Sequence, residues 1–345
     1  MAVQVDETPL LRYVGDVRGH AHYALASGEE LLVWTPESDK EYRPLLVYLH
    51  GASPRGTDIA QILAKGPGCV PQLLADGELK FDATVDKDAA EKLAAKVKEK
   101  RGALREAKRG EDAAAIAAAQ EAHDAAEQAV EDEKMHRMLA RGSGCVVVSP
   151  LLGARQEWCK TAAQFARTMK ILETFLAASR KNEGGLKTID EYRVFCTGAS
   201  CGGLGTFTLA CRLAQKHAGD SEDRKKFPPF ASVAPICGGG NIVYAALLRG
   251  TPSWFWHSAS DSAVPCSETE ALVAALDKLH APVRFKKLTD EETPPSPAHV
   301  AYMTHHNAWT PAYKQGSDLW PWLFAQSLFM RPNVLRPANA PIKRS

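Results

Sequence analysis

Ser200 is the residue of this 345-residue chain best placed to do chemistry, because it stands at the centre of a Gly-x-Ser-x-Gly pattern. The apolar run 192–197 precedes the pattern, and a helical pattern over 204–213 follows it. A sharp strand-to-helix turn lifts a serine hydroxyl out of the sheet and needs small residues two places before and after the serine. Gly203 and Gly205 would let the helix lie close to its strand. The alternative is a glycine-rich turn without chemistry, but the strand and helix around the motif favour a nucleophile.

The elements around this motif predict an α/β fold with a doubly wound, mostly parallel sheet, because strand patterns alternate with helical ones. The run 44–51 is almost entirely apolar, which is typical of a strand buried on both faces. The first two strands are predicted to form an antiparallel hairpin. Strand patterns cover residues 20–26, 30–34, 44–51, 144–150, 192–197, 230–236, 253–257 and 283–288. Helical patterns cover residues 58–65, 160–181, 204–213, 242–248, 268–279 and 318–330.

Two later loops carry the residue types that a serine nucleophile needs. In doubly wound sheets, chemistry collects at the carboxyl ends of the strands. Asp261 lies among small residues just after the strand 253–257, and the loop after the last predicted strand contains His299, His305 and His306. The chain order Ser, Asp, His is the order expected for a nucleophile, acid and base on this kind of sheet. The residues alone leave open which histidine is the base.

Residues 82–141 are predicted to form an antiparallel helical hairpin inserted into an α/β domain made of residues 1–81 and 142–345. Alanine and charged residues dominate this segment, and this composition favours helix. A break at 109–112 divides it, with Asp112 as the N-cap of the second helix. Such a charged arm is usually a solvated surface without chemistry. The alternatives are a lid over the site or an arm that contacts a protein partner or a membrane.

The composition excludes some classes of function. The formal net charge is +1, so no global field attracts nucleic acid. The first 15 residues lack the pattern of a signal peptide, and no run reaches the length of a transmembrane segment. We therefore expect a cytoplasmic protein without a nucleic-acid partner, in which the cysteines are mostly reduced. The eight cysteines are Cys69, Cys145, Cys159, Cys196, Cys201, Cys211, Cys237 and Cys266.

Six separated segments follow the order of a known family. They are Leu49–Asp58 (LHGASPRGTD), Val147–Pro150, Thr197–Gly203, Ala234–Gly240, Asp261 with Val264–Pro265, and His306–Tyr313 (HNAWTPAY). Together they resemble the phospholipase/carboxylesterase group of α/β-hydrolases, close to the polyhydroxybutyrate-depolymerase-like and feruloyl-esterase-like esterases. The resemblance covers roughly residues 33–329 apart from the helical insertion.

The resemblance implies a catalytic triad of Ser200, Asp261 and His306. It selects His306 rather than His305 as the base, because His306 stands three residues before Trp309 in the family motif. It also implies ester hydrolysis through an acyl-enzyme, with a small-molecule ester as substrate and with no metal or cofactor. The alternatives are a peptidase or thioesterase with the same triad, or a binding or scaffold protein that uses the helical arm.

The resemblance further implies an oxyanion hole made of the backbone N–H groups of Ala52 and Cys201. Two fixed donors of this kind stabilise a tetrahedral intermediate. The chain departs from the family motif at Ser53, Pro54 and Asn307, and Cys201 itself stands where a methionine is frequent.

Two tryptophans are expected to line the substrate pocket, and two histidines are expected to order loops. Trp158 and Trp309 fall in predicted loops beside the site, so they could line the acyl or alcohol pocket. We interpret His50 and His257 as residues that are hydrogen-bonded in place and that order their loops, rather than as groups that take part in chemistry.

Overall fold

The computed structural model describes residues 9–64, 68–81, 88–110, 112–219 and 221–331. The chain divides into two units. The first consists of Met1–Lys80, Gly144–Leu319 and Gln326–Ser345, and the second of Phe81–Ser143 and Trp320–Ala325. The predicted start of the helical insertion (82–87) and the end of the predicted helix 58–65 lie outside the described residues.

One sheet forms the centre of the first unit. Its nine strands are β1 (Leu11–Val17), β2 (His20–Leu25), β3 (Glu30–Trp34), β4 (Arg43–Leu49), β5 (Val146–Pro150), β6 (Ile189–Ala199), β7 (Ser232–Ile236), β8 (Ser253–Ser258) and β9 (Val283–Leu288). Their spatial order is β1-β2-β3-β5-β4-β6-β7-β8-β9. The pairs that involve β1, β2 and β3 are antiparallel, including the pair of β3 with β5. The six strands from β5 to β9 in this order are parallel to one another.

The described helices pack on both faces of this sheet or form the second unit. They are α1 (Gln61–Ala64), α2 (Val70–Ala75), α3 (Ala89–Gly110), α4 (Ala113–Ala140), α5 (Ala162–Arg180), α6 (Cys201–Gly219), α7 (Ser221–Lys226), α8 (Cys266–Lys278), α9 (Trp309–Tyr313) and α10 (Leu319–Ala325). Short 3₁₀ turns lie at Glu183–Gly185, Ile242–Leu248, Ala298–Val300 and Leu328–Met330. Among the described residues, no helix combines the length and hydropathy that crossing a membrane requires.

The core covers the sheet on both faces. Leu31 and Val33 of β3 belong to the main buried cluster, whereas Leu32 between them packs with Ile62 and Leu63 of α1. Since successive side chains of a strand point to opposite faces, these two clusters lie on opposite sides of the sheet. All seven residues of β4 are buried, which confirms the prediction of a strand buried on both faces there.

The largest differences from the predicted elements lie at one edge of the sheet and at the end of the last helix. Strand β1 was not predicted, because only Leu11 of its seven residues is buried and an edge strand needs no continuous apolar run. The last helix was predicted too long: α10 ends at Ala325, and a 3₁₀ turn capped by the Ser327 side chain follows it. The predicted hairpin of β2 and β3 is confirmed, with Gly28 at a φ of 89° in its turn.

The second unit contains two long helices, α3 and α4. Leu104 of α3 and Ala126 of α4 are buried. The predicted N-cap is confirmed, because the Asp112 carboxylate accepts the Ala114 N–H at 2.9 Å. The segment Trp320–Ala325, which the sequence reading assigned to the α/β domain, groups with this unit. We retain residues 82–141 as our proposal for the insertion.

Close backbone approach positions the start of α6. A Cβ on Gly202 would overlap the carbonyl oxygen of Leu49 at the end of β4, and a Cβ on Gly203 would overlap the carbonyl oxygen of Ile236 at the end of β7. The helix therefore begins in direct contact with the ends of two strands. The predicted role of Gly205 in packing the helix against its strand is wrong. The missing side chain at Gly205 instead makes room for the Trp158 side chain.

Gly202→Ala should disrupt this packing. The obstructing atoms are backbone, so we expect a loss of at least about 3 kcal/mol in the free energy of unfolding, or no folded protein. Urea unfolding followed by circular dichroism measures the change. Gly219→Ala is the matched control, because Gly219 lies at the end of the same helix and its added Cβ would meet no atom of the described residues beyond its own turn of helix within 4 Å. We expect that control to be neutral or stabilised by up to about 1 kcal/mol. Equal stabilities of the two variants would contradict the packing argument.

Candidate active site

Ser200 occupies the turn between β6 and α6 with a strained backbone. Its φ of 57° lies in the left-handed region that few non-glycine residues adopt. The Ser200 N–H donates to the Ile236 carbonyl oxygen at 2.9 Å, and the Leu204 N–H donates to the Ser200 carbonyl oxygen at 3.0 Å. These bonds hold the strained turn in place, and such strain clusters at functional sites.

The His306 imidazole bridges the serine and an aspartate. Its Nε2 lies 2.8 Å from Ser200 Oγ, and its Nδ1 lies 2.7 Å from Asp261 Oδ2. The Trp309 ring packs edge-on against the imidazole with centroids 5.5 Å apart. The neighbouring His305 is partly exposed and lies 3.7 Å from Asp290. The structure therefore brings together Ser200, Asp261 and His306, and it directs His305 elsewhere.

Asp261 is buried but well supplied with donors. The N–H groups of Ala263 and Val264 donate to its Oδ1 at 2.8 and 3.0 Å. Burial alone would raise the pKa of the Asp261 carboxyl, but the hydrogen bonds from His257 and His306 outweigh burial and lower this pKa. The carboxylate is therefore ionised at neutral pH and accepts the Nδ1–H of His306.

This arrangement can activate the serine. Because Asp261 holds the proton on Nδ1 of His306, Nε2 of the ring is left as an acceptor for the Ser200 hydroxyl proton. A hydroxyl within hydrogen-bond distance of a positioned base can act as a nucleophile.

The loop that follows β4 is fixed by a neutral histidine. Burial lowers the pKa of His50 to about 4. Its Nδ1–H donates to the Gly51 carbonyl oxygen at 2.7 Å, and its Nε2 accepts the Leu152 N–H at 3.0 Å. The buried Trp158 indole donates to the His50 carbonyl oxygen at 2.8 Å. Both side chains thus order the loop, as expected for His50.

Ala52 and Cys201 are the two residues of the predicted oxyanion hole. Ala52 lines the recess beside the serine. Cys201 is the first residue of α6, where N–H groups lack an intrahelical acceptor. Arg55 links the two segments, since its guanidinium lies 3.3 Å from Cys201 Sγ and 3.1 Å from the Gln156 carbonyl oxygen. Sequence reasoning missed this contact, although Arg55 stands within the quoted LHGASPRGTD segment.

A small recess with an accessible volume of about 50 Å³ opens beside Ser200 and His306. Ser53, Pro54 and Trp309 line it, as does His299 of the histidine-bearing loop. Trp158 does not line this recess, because its ring is turned toward Gly205 and the His50 carbonyl. Of the two tryptophans, only Trp309 lines the recess, and its contact with substrate stays a prediction. The recess also contains apolar or weakly polar side chains that the sequence did not single out: Tyr48, Ile62, Cys69, Val300 and Met303.

Three buried groups near the serine have ligand atoms within 4.8 Å of one another: Cys237, Asp261 and His306. Burial, followed by the charge of Asp261, raises the pKa of the Cys237 thiol well above its usual value. A neutral thiol is a poor metal ligand, and the other two groups are already hydrogen-bonded to each other. All eight cysteines of the chain lie in the described ranges and are free thiols.

Comparison with solved structures identifies the fold. A crystal structure of a thermostable esterase is 19% identical with a TM-score of 0.55, and the alignment covers 90% of this chain and 64% of that one. The chain thus spans slightly less than two thirds of that protein's length. This likeness and the strand order show an α/β-hydrolase fold, which confirms the predicted fold class.

Two structures of Thermogutta terrifontis esterase 2 are more distant. One is phosphorylated by paraoxon and the other has propionate bound; they are 12% and 11% identical to this chain, with TM-scores of 0.44 and 0.45. The alignments cover 81% of this chain and 85% and 86% of theirs. No protein-family model and no curated protein matches the sequence.

The neutral His50 should make the fold sensitive to acid. Between pH 6.5 and about 4 the unfolded chain protonates this histidine and the folded chain does not, so stability falls as pH falls through this window. A shift of this size corresponds to a loss of about 2–3 kcal/mol between pH 7 and 4.5. His50→Gln should lose correspondingly less stability over this interval, as measured by urea unfolding at the two pH values.

His217→Gln is a control for a buried neutral histidine away from the active site, because His217 lies on α6 and not in the loop that follows β4. Burial, followed by the charge of Arg224, lowers the pKa of His217 to about 4, so this variant should also lose less stability in acid. It should leave any activity of the Ser200 site unchanged. A stability loss for His50→Gln as steep as that of the unaltered chain would show that His50 is not held neutral.

Proposed function

We propose that the chain is a serine hydrolase that cleaves carboxylic esters of small molecules through an acyl-enzyme on Ser200. One observation carries the proposal: the His306 ring lies 2.8 Å from Ser200 Oγ and 2.7 Å from Asp261 Oδ2. The α/β-hydrolase fold and the strained strand–helix turn at Ser200 support it, because this turn exposes a nucleophile at the carboxyl ends of the strands.

In the proposed acylation step, Ser200 Oγ attacks the ester carbonyl carbon while its proton passes to Nε2 of His306. Asp261 keeps the ring oriented and stabilises its positive charge. The N–H groups of Ala52 and Cys201 donate to the developing oxyanion. When the tetrahedral intermediate collapses, the bond from the carbonyl carbon to the alkoxy oxygen breaks. The alcohol leaves with the proton that His306 returns.

Deacylation repeats these steps with water. The neutral His306 accepts a proton from a water molecule as the water oxygen attacks the acyl carbon. The second tetrahedral intermediate then releases the carboxylic acid, and His306 returns the proton to Ser200 Oγ. Each proton that His306 accepts is given back within the same half-reaction.

The recess indicates the chemical character of the substrate. Side chains such as Ile62, Val300, Met303 and Trp309 favour uncharged, apolar acyl or alcohol groups. We therefore propose a neutral small-molecule ester. A thioester or an amide could react at the same groups, and a scaffold role for the helical arm would need none of them.

Ser200→Ala should abolish hydrolysis of a short p-nitrophenyl ester. Removal of the nucleophile is expected to lower kcat by about 10⁴-fold or more, with an unchanged circular dichroism spectrum. Ser149→Ala is a matched control, because Ser149 is buried in β5 and its hydroxyl has no hydrogen-bond partner among the described residues. The control should keep its activity. If Ser200→Ala retained comparable turnover, or if the unaltered chain showed none, the proposed function would be wrong.

A further inference from the structure

A second histidine contacts the Asp261 carboxylate. His257 is the penultimate residue of β8 and is fully buried. Its Nε2 lies 3.1 Å from Asp261 Oδ2, the same oxygen that His306 contacts at 2.7 Å. The same Nε2 lies 3.0 Å from the Val264 carbonyl oxygen. In the proposed triad, Ser200 is the nucleophile, His306 the base and Asp261 the acid, and the His257 ring has no assigned role.

The surroundings of His257 fix where its proton sits. Nε2 faces a carboxylate oxygen and a carbonyl oxygen, and neither of these can donate, so Nε2 must carry the hydrogen. In the neutral ring, Nδ1 then needs a donor. The Thr269 hydroxyl on α8 lies 2.8 Å from Nδ1 and can supply this hydrogen bond. A buried ring with both nitrogens satisfied has one preferred tautomer and one orientation.

We propose that His257 is a positioning residue for the catalytic base: its Nε2–H, oriented by Thr269, holds the Asp261 carboxylate toward His306 and tunes the proton affinity of that ring. The inference rests on the proposed function, since it assigns His306 as the base. It extends the hydrogen-bonded chain from Ser200 through His306 and Asp261 to α8.

Two effects follow from this contact. The N–H of His257 places the positive end of a dipole against Asp261 Oδ2, so its removal should make protonation of His306 easier. The carboxylate would also lose one of its four donors and gain freedom to rotate away from His306. The first effect should move the acidic limb of the kcat/KM profile to higher pH. The second should lower kcat more than it changes KM.

The neighbouring thiols do not titrate in the relevant range. Cys237 follows β7 and lies close to Asp261 and His306, with its ligand atom within 4.8 Å of theirs, whereas Cys266 is the first residue of α8. Burial is the largest cause that raises the pKa of each thiol; the charge of Asp261 adds to it at Cys237, and the charge of Glu270 adds to it at Cys266. Both groups therefore stay neutral near pH 7.

The charged groups on the surrounding elements are paired or lie farther out. Lys287 of β9 pairs with Glu270 of α8 at 2.7 Å, and both are about half exposed. Glu268 of α8 packs against Gly239, and His305 lies near Asp290. His299 lines the recess beside Ser200, so the acidic limb of kcat/KM is interpreted together with the NMR titration of the His306 imidazole, which follows that ring alone.

The test compares four variants with the unaltered full-length chain. His257→Leu removes the donor, whereas His257→Gln keeps an amide N–H that can reach Asp261. Thr269→Val keeps the ring but removes the hydroxyl that fixes its tautomer. His20→Leu is the matched control, because His20 is also fully buried but lies on β2, far from β8 in the strand order. The readouts are the pH profile of kcat/KM for a p-nitrophenyl ester and the NMR titration of the His306 imidazole.

For His257→Leu, we expect the acidic limb of kcat/KM and the His306 titration to move up by about 0.5–1 pH unit. The value of kcat should fall about 10-fold with little change in KM. His257→Gln should restore the unaltered profile, Thr269→Val should shift in the same direction by less, and His20→Leu should not shift. If His257→Leu does not fold, the shift in Thr269→Val decides the question.

Unchanged midpoints in both His257→Leu and Thr269→Val would overturn the inference, whatever the loss of activity, because a purely structural role lowers activity without moving the titration. The NMR titration needs no turnover. It therefore separates this inference from the proposed function, which fails on its own if Ser200→Ala remains active.

Discussion

The candidate site depends on one buried carboxylate, that of Asp261, and on the donors that surround it. Two backbone N–H groups bond one oxygen, and His257 and His306 contact the other. A buried, unpaired carboxylate would be destabilising by several kcal/mol, so the fold must bring all of these donors into place together. Because they come from β8, from the loop after it and from the loop before α9, this one group fixes the relative positions of the three segments.

The parallel strands of the sheet also bring Ser200 close to Asp261 and His306. The strands β6, β7 and β8 are neighbours and parallel, so their carboxyl ends meet at one edge. The Ser200 N–H bonds the end of β7, and the Cys237 N–H bonds the Trp256 carbonyl oxygen of β8 at 2.8 Å. Glycine at 202 and 203 then lets α6 start directly against the strand ends. The position of Ser200 thus follows from backbone packing at the ends of these strands.

Periodicity and motif order predicted the central strands and the order Ser, Asp, His, because buried parallel strands leave continuous apolar runs and their ends carry the chemistry. They did not distinguish His306 from His305, since both stand in one loop whose path depends on tertiary contacts. They also missed β1, which is an exposed edge strand. The role of Trp158 could not be predicted, because the direction of its ring is set by the space that Gly205 leaves. The contact of His257 with Asp261 depends likewise on how the loop after β8 folds back.

The central claim is that His306 and Asp261 make Ser200 a nucleophile. The most direct measurement is the intact mass of the folded chain after reaction with a fluorophosphonate, followed by peptide mapping of the adduct. The account predicts one adduct per chain, located on Ser200, and a much slower reaction in His306→Ala, whose serine lacks its base. An unmodified Ser200 in the folded chain, or labelling that is equally fast without His306, would contradict it.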